Sequence, residues 1–449
     1  MVEDSIRQWN PWWADLSELG SLTGVERDIR TDIRRAMDLR HIKDVIGVRR
    51  AGKTTTLYQI IAALIEDGAD PREIALLNLD DPELSKTGFK NLVKTLEKMH
   101  PSTKYLFLDE VQQKEEWERW IRTWYDTQRF EQIFVSGSSA SLISRDVGRV
   151  LSGRHTTFTI FPFSFREFLK FHEWKSFEGE YLYHNRNELL HYQERYLEEG
   201  GFPETLGKTD AQKELILTNI YNDILSRDIA ARFNASYDIS KRISYHLLSN
   251  VSNEFSYNRV AQATDVSADT ADKYINYLLE AFLILELDFF SYKTREQFKR
   301  NKKAYAIDTG LRNAVSFKFM EDKSSLMENV ILLELLRRGY NPFYWKDKQG
   351  MEVDFLVRGK EETLGLVQSC WDPSGETRER EVESLTTALD AFKMKEGCIL
   401  TEDYEEEEQV EEKKIHFIPL WKWLLSPSIL AGRENRNFGG RVEGSDRAS

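Results

Sequence analysis

The chain has 449 residues, of which 41% are hydrophobic and 31% charged, and its 62 lysines and arginines against 75 aspartates and glutamates leave a net charge of −13. That length makes about three domains, with enough apolar material for real cores, which excludes a disordered protein. The net acidity excludes a generally basic nucleic-acid coat, so any DNA contact has to come from a local basic patch.

The N-terminal stretch MVEDSIRQWNPWW lacks the basic start and apolar run of a signal peptide. No run of about 18 uncharged apolar residues appears, so a cytoplasmic address is expected. The two cysteines, Cys370 and Cys398, are too few for a disulfide framework or a multi-cysteine zinc site and are expected to be free thiols. Residues 1–36 read as an N-terminal extension in which Trp9, Trp12 and Trp13 pack on a neighbour, followed by a helix through Arg27, Arg30, Arg34 and Arg35.

From residue 37 to 175 short apolar runs (HIKDVIG, EIALLNL, KYLFLDE, QIFVSG) alternate with longer helical stretches. That alternation predicts βαβ units and a parallel sheet. The first run leads into Gly47-Val-Arg-Arg-Ala-Gly52-Lys53-Thr54, the G-x-x-x-x-G-K-[ST] pattern of a phosphate-binding loop. Its glycines let successive backbone N–H groups converge on phosphate oxygens at the positive end of the following helix. Gly47, Arg49, Arg50, Ala51, Gly52, Lys53, Thr54 and Thr55 are therefore the candidate nucleotide-binding residues, with Lys53 reaching the terminal phosphates of ATP. The Thr54 hydroxyl is a candidate Mg²⁺ ligand.

The third run, Tyr105-Leu-Phe-Leu-Asp109-Glu110, ends in two acids. Asp109 suits the metal's second coordination shell and Glu110 suits polarising the attacking water, with a solvated acidic turn at the strand end as the alternative. The fourth ends in hydroxyls, with Ser136 as a candidate γ-phosphate sensor, Ser138 beside it, and a plain helix cap as the alternative. Arg145, Arg149 and Arg154 follow. Arg154 is the first candidate for the arginine that neutralises the transferring phosphate, in cis or from a neighbouring subunit, against the ordinary alternative of a surface ion pair.

Residues 176–235 are expected to form a helical lid or connector, with the turn Gly200-Gly-Phe-Pro-Glu204 as punctuation and no chemistry of its own. Residues 236–303 have the layout of a winged helix-turn-helix: three helices and two strands flanking KTREQFKRNKK. The cations Lys293, Arg295, Lys299, Arg300, Lys302 and Lys303 make that wing a candidate DNA contact, or else a solvated hairpin. The helix before it carries Asp269, Asp272 and Glu280 against Lys273, a poor surface for a major groove. Residues 304–426 mix helix and strand, and the polar tail 427–449 is expected to be disordered.

On GVRRAGKTT, YLFLDEVQ, SGSSASL, LSGR with FPFSFREFL, GGFPE, ENVILLELLRRG and EVDFL, the chain resembles the prokaryotic AAA+-like ATPases that carry a C-terminal domain of unknown function related to restriction-type nucleases. The resemblance spans most of residues 40–370. It implies an α/β multidomain protein: a P-loop ATPase core, a helical connector, a winged helix, and a restriction-nuclease-like α/β domain over 304–426. Such nucleases hold Mg²⁺ on a glutamate, an aspartate and an acid two residues before a lysine. Glu328 and Asp354 match the first two, with ordinary buried or capping acids as the alternative, whereas Gln368 and Cys370 stand where the acid and the lysine belong. Neutral glutamine and a thiol are poor partners for a hard cation, which predicts a degenerate domain. The expected activity is Mg-dependent ATP hydrolysis coupled to DNA or a protein partner, with an ATP-gated nuclease or a slow nucleotide-dependent scaffold as alternatives, and assembly into a homo-oligomer open.

Overall fold

The computed structural model describes residues 2–138, 151, 153–316, 323–359 and 363–426, and the chain divides into two compact units that part between Ile160 and Phe161. The expected tail 427–449 lies outside the described residues.

The first unit is built on five strands: β1 (Ile42–Ile46), β2 (Ile74–Asn78), β3 (Tyr105–Asp109), β4 (Gln132–Gly137) and β5 (His155–Thr159). They lie in the order β2-β3-β4-β1-β5, and every pairing is parallel. β1 and β2 are buried along their whole length, the reason these runs read as continuously apolar rather than alternating. Helices Lys53–Glu66, Phe89–Met99 and Trp117–Asp126 connect them.

The N-terminal residues belong to this same unit rather than forming a separate extension. Asn10 acts as a one-residue strand against the edge of β2. Its amide donates to the Leu76 carbonyl at 2.8 Å, and its Oδ1 accepts the Leu76 N–H at 2.7 Å. The Trp13 indole donates to the Ile74 carbonyl at 2.8 Å. An exposed sheet edge invites pairing with another chain, and these contacts close it.

In the second unit the expected core segment 161–175 joins the helical region instead, through helix Phe165–Phe171 with a Ser164/Glu167 capping box. Helices Arg186–Glu199 and Asp210–Asp223 follow. The turn between them is a packed joint, not punctuation. The Gly201 N–H donates to buried Asp308 at 2.7 Å, and Asp308 also caps the helix Thr309–Val315 by accepting the Leu311 N–H at 2.8 Å. A Cβ on Gly201 would lie 2.3 Å from the Phe163 carbonyl oxygen.

Helices Tyr237–Ser249, Tyr257–Thr264 and Ala268–Glu280 pack with a three-stranded antiparallel sheet of β6 (Glu254–Phe255), β7 (Ile284–Leu287) and β8 (Lys302–Ala306), in the order β6-β8-β7. The connection expected as an open wing contains a short helix, Thr294–Lys299. The rest is a six-stranded mixed sheet of β9 (Asn341–Lys346), β10 (Glu352–Arg358), β11 (Thr363–Ser369), β12 (Glu396–Thr401), β13 (Glu406–Val410) and β14 (Lys413–Pro419), in the order β13-β14-β12-β11-β10-β9. Helix Gly375–Phe392 packs Leu385, Ala388 and Leu389 onto Val353, Leu356, Leu366 and Ile399 of that sheet.

Candidate functional site

The phosphate-loop sequence occupies the turn from β1 into the helix Lys53–Glu66. Gly47 has φ 146°, and a Cβ there would sit 2.1 Å from the Ile160 carbonyl oxygen. The Ile160 N–H in turn donates to the Ile46 carbonyl at 2.7 Å, so the chain leaving β5 leaves no room for a side chain at this point. Gly52, at φ 95°, and Arg50, at φ 65°, take the left-handed conformations that curl the loop. Buried Lys53 spans the curl, its ammonium donating to the Gly47 and Val48 carbonyls at 3.1 and 3.0 Å. Thr54 and Thr55 sit in the first turn of the helix, Arg49 is half-buried, and Arg50 is exposed.

A support beneath this loop was not legible in the sequence. Buried Arg27 donates from Nη1 to the Ala51 carbonyl at 2.7 Å. Gln59, further along the same helix, accepts the Arg27 N–H at 3.0 Å and donates to the Thr23 and Val25 carbonyls at 2.6 and 2.7 Å. The expected basic helix at 27–35 thus contributes one arginine to the back of the loop. Arg30 and Arg34 pair at the surface with Glu66 and Asp67.

The structure brings the loop and the acidic strand end together at Asp109, which is fully buried. Its Oδ2 accepts the Thr54 hydroxyl at 2.7 Å and the Asn78 amide at 3.1 Å, and its Oδ1 accepts the Ser136 hydroxyl. Asn78 was missed in the sequence, although it ends β2 in direct register with Asp109 at the end of β3. Ser136 also accepts the Glu110 N–H at 3.2 Å. Its hydroxyl therefore ties the two acids together.

Glu110 adopts a left-handed φ of 54° that turns it out of the strand, where the Gln112 amide donates to its carboxylate. Burial pushes its pKa up and the Asp109 charge adds to this, while Lys53, Gln112 and Arg49 oppose it. A carboxylate with a raised pKa beside a phosphate loop is suited to accept a proton from water. The Thr54 hydroxyl and Asp109 are hard oxygen donors already in contact, a set that fits Mg²⁺, whose other positions waters and phosphate oxygens fill.

Arg154 is not brought to the loop. Its carbonyl accepts the N–H of Ile42, the first residue of β1, whereas Gly47 follows the last. A five-residue strand rises roughly 3.3 Å per residue, so the two lie at opposite ends of β1. Its guanidinium pairs with Asp126 at 2.9 Å, the ordinary ion pair. Arg145, Arg149 and Ser139 lie outside the described residues, and Ser138 is buried just past β4.

In the second unit the candidate metal residues Glu328 and Asp354 do come together, but around an ammonium. Buried Lys303 lies 3.0 Å from Glu328, 2.7 Å from Glu352 and 3.2 Å from Asp354. Burial opposes the charge on Lys303, yet the surrounding acids hold its pKa well above the usual lysine range. Burial and the Asp354 charge push Glu328 up to about 7. Gln368 is engaged by the Asp354 N–H at 3.2 Å and by Glu381, and Cys370 is buried. Two of the expected DNA-contacting cations are thereby reassigned, because Lys303 is enclosed by these acids and Lys302 pairs with Glu286 and with Asp288 at 3.2 Å. Lys293, Arg295, Lys299 and Arg300 remain exposed.

An AAA domain matches residues 39–169, and two domains of unknown function, DUF8612 and DUF4143, match residues 190–322 and 323–423. The uncharacterized protein MJ1544 of Methanocaldococcus jannaschii is 33% identical over 419 residues, covering 89% of this chain and 91% of its own length. An uncharacterized protein of Haemophilus influenzae is 30% identical over 403 residues, covering 86% and 95%. The Walker-type ATPase PABY2304 of Pyrococcus abyssi, 12% identical, aligns over 65% of this chain and 95% of its own with a TM-score of 0.43. No described helix is long and apolar enough to cross a membrane.

Proposed function

The chain belongs to one family with MJ1544, a family whose AAA domain is here an AAA-like P-loop fold, and from that premise we propose that it is an Mg-dependent ATPase. The observation that carries this reading is the 2.7 Å hydrogen bond from Thr54 to Asp109, which puts a phosphate loop and an acidic strand end into one site. The backbone N–H groups of Gly47 to Thr55 and the Lys53 ammonium hold the terminal phosphates. Thr54 and Asp109 would hold Mg²⁺, which would supply charge neutralisation on the phosphate oxygens. Glu110 accepts the proton of the attacking water. Ser136 and Asn78 act as positioning residues that fix the direction of the two acids. Arg49, whose charge already acts on Glu110, is the cis candidate for neutralising the transferring phosphate, and Arg154 serves only across a subunit interface.

The second unit couples this cycle to DNA or to a protein, through the three helices and antiparallel sheet read as a winged helix. We read the six-stranded domain as a nuclease-like fold without cleavage, since the Lys303 ammonium sits among the acids that would hold the metal.

Steady-state phosphate release with Mg-ATP tests the proposal, comparing wild type with Lys53→Ala and Glu110→Gln. The glutamine variant keeps the shape and loses the base, so its kcat is expected to fall about 10²–10⁴-fold while nucleotide binding persists. A wild-type protein that binds ATP and releases no phosphate under any condition would replace the ATPase with a nucleotide-dependent scaffold.

A further inference from the structure

The cations that remain exposed on the connection between β7 and β8 follow an exposed aromatic ring in the chain. Tyr292 is 74% exposed, an unusual state for a large ring in a folded protein. Three side chains hold it. Phe290 meets it edge-on at 5.0 Å, Phe392 lies 6.4 Å away, and the Arg358 guanidinium sits 5.7 Å from its centroid. The base of this group is tied to the six-stranded sheet: the Phe290 N–H donates to the Tyr344 carbonyl of β9 at 2.8 Å, and Phe392 packs on both Phe290 and Trp345.

Next in sequence come Lys293, Arg295, Lys299 and Arg300, all exposed. Arg295 and Lys299 make no ion pair among the described residues. Lys293 pairs with Glu296 at 3.2 Å with side-chain exposures of 77% and 55%, an exposed pair of little net worth that a phosphate readily replaces. Glu296, the one acid of the segment, is further engaged by Ser291 at 3.1 Å.

We infer that this surface binds single-stranded DNA, with an unpaired base stacked on Tyr292 and the backbone phosphates held by Lys293, Arg295, Lys299 and Arg300. The inference rests on the partner half of the proposed function and deepens it by naming the ligand class. An exposed aromatic face beside a basic track is the pairing that single strands require. A duplex hides its base faces, and the helix Ala268–Glu280 that a winged helix would insert into a major groove presents Asp269, Asp272 and Glu280. The charge sign is local, because the protein as a whole carries −13.

Fluorescence anisotropy of a labelled oligo-dT of about 16 nucleotides, with the full chain and no nucleotide, tests it against the matched duplex and against oligo-U. Wild type is expected to bind the single-stranded DNA tightest. Tyr292→Ala weakens that binding about tenfold or more, and Tyr292→Phe keeps it. Arg295→Gln with Lys299→Gln lowers the slope of log affinity against log salt by about 0.7 for each phosphate that the variant no longer neutralises. Unchanged binding in Tyr292→Ala, tighter binding of the duplex, or tighter binding of oligo-U would each overturn the assignment. Phosphate release without DNA is expected to be the same in Tyr292→Ala and wild type. A protein that binds oligo-dT through Tyr292 and never hydrolyses ATP would sink the ATPase while leaving this surface standing.

Discussion

Replacing Lys303 with methionine removes the ammonium and keeps most of the side-chain length and apolar contact. Three carboxylates lie 2.7 to 3.2 Å from that ammonium in a site where Lys303 is 3% exposed. Breaking a buried charge cluster by deleting one sign costs about 3–5 kcal/mol, because the remaining charges stay buried and unneutralised. The exposed Lys293 to Glu296 pair is the internal control, worth about 1 kcal/mol or less. Urea unfolding of the full chain, followed on the transition of the second unit, is expected to show the large loss for Lys303→Met and almost none for Lys293→Ala. Adding Glu328→Gln to Lys303→Met removes one of the repelling acids and recovers part of the loss. Mn²⁺ is expected to raise the midpoint of Lys303→Met and to leave the same transition of the wild type unmoved, since in wild type the ammonium already fills the place of the cation. A loss below about 1 kcal/mol, or a wild-type transition that Mn²⁺ stabilises as strongly as it does the variant, would refute the view that Lys303 is the resident cation of this cluster.

Two further perturbations test the joints of each unit. Gly47→Ala forces a Cβ to within 2.1 Å of the Ile160 carbonyl oxygen at φ 146° and is expected to abolish nucleotide binding, whereas Gly68→Ala, at φ 99° with nothing within 4 Å, keeps it at a cost of about 1 kcal/mol; equal binding of a fluorescent ATP analogue by both would remove the steric argument. Burial raises the pKa of Asp308 from 3.8 to about 6. A carboxyl with a raised folded pKa binds its proton more tightly in the native state, so stability is lost as pH rises from about 4 to about 6, and the full penalty of about 3 kcal/mol is present above that. Asp308→Asn removes this term, and its stability relative to wild type is expected to improve between pH 4 and pH 7 by up to that amount; a difference that does not change with pH would contradict it.

The parallel sheet, the loop and the pair of acids were legible because each is written in contiguous residues. A buried strand, two obligatory glycines and a lysine stand within one short segment, and Asp109-Glu110 ends an apolar run. Arg27, Gln59 and Asn78 were not legible, since each acts through a partner more than twenty residues away and none sits in a pattern of its own. Arg154 misled for a different reason: it stands directly before β5, and in a parallel sheet the residue that precedes a strand lies at the end opposite the loop that follows β1, so chain order already placed it away from Gly47. The adjacent lysines of β8 show the same limit at the scale of one bond. Successive strand residues point to opposite faces, so Lys302 faces Glu286 while Lys303 turns into the acid cluster, and a count of local cations treats them as equals.

The acids at the end of β3 and those beside β10 differ in what neutralises them. Asp109 is held by neutral donors, the hydroxyls of Thr54 and Ser136 and the amide of Asn78. Those hydrogen bonds fix its orientation and leave its negative charge available to a cation. Glu328, Glu352 and Asp354 instead share an ammonium that is covalently part of the chain. A divalent ion entering there would have to displace that buried charge or share the site with it, and either course costs several kcal/mol. The same residue types therefore leave a carboxylate open to a cation at the end of β3 and surround a resident ammonium beside β10, by virtue of one lysine placed on β8.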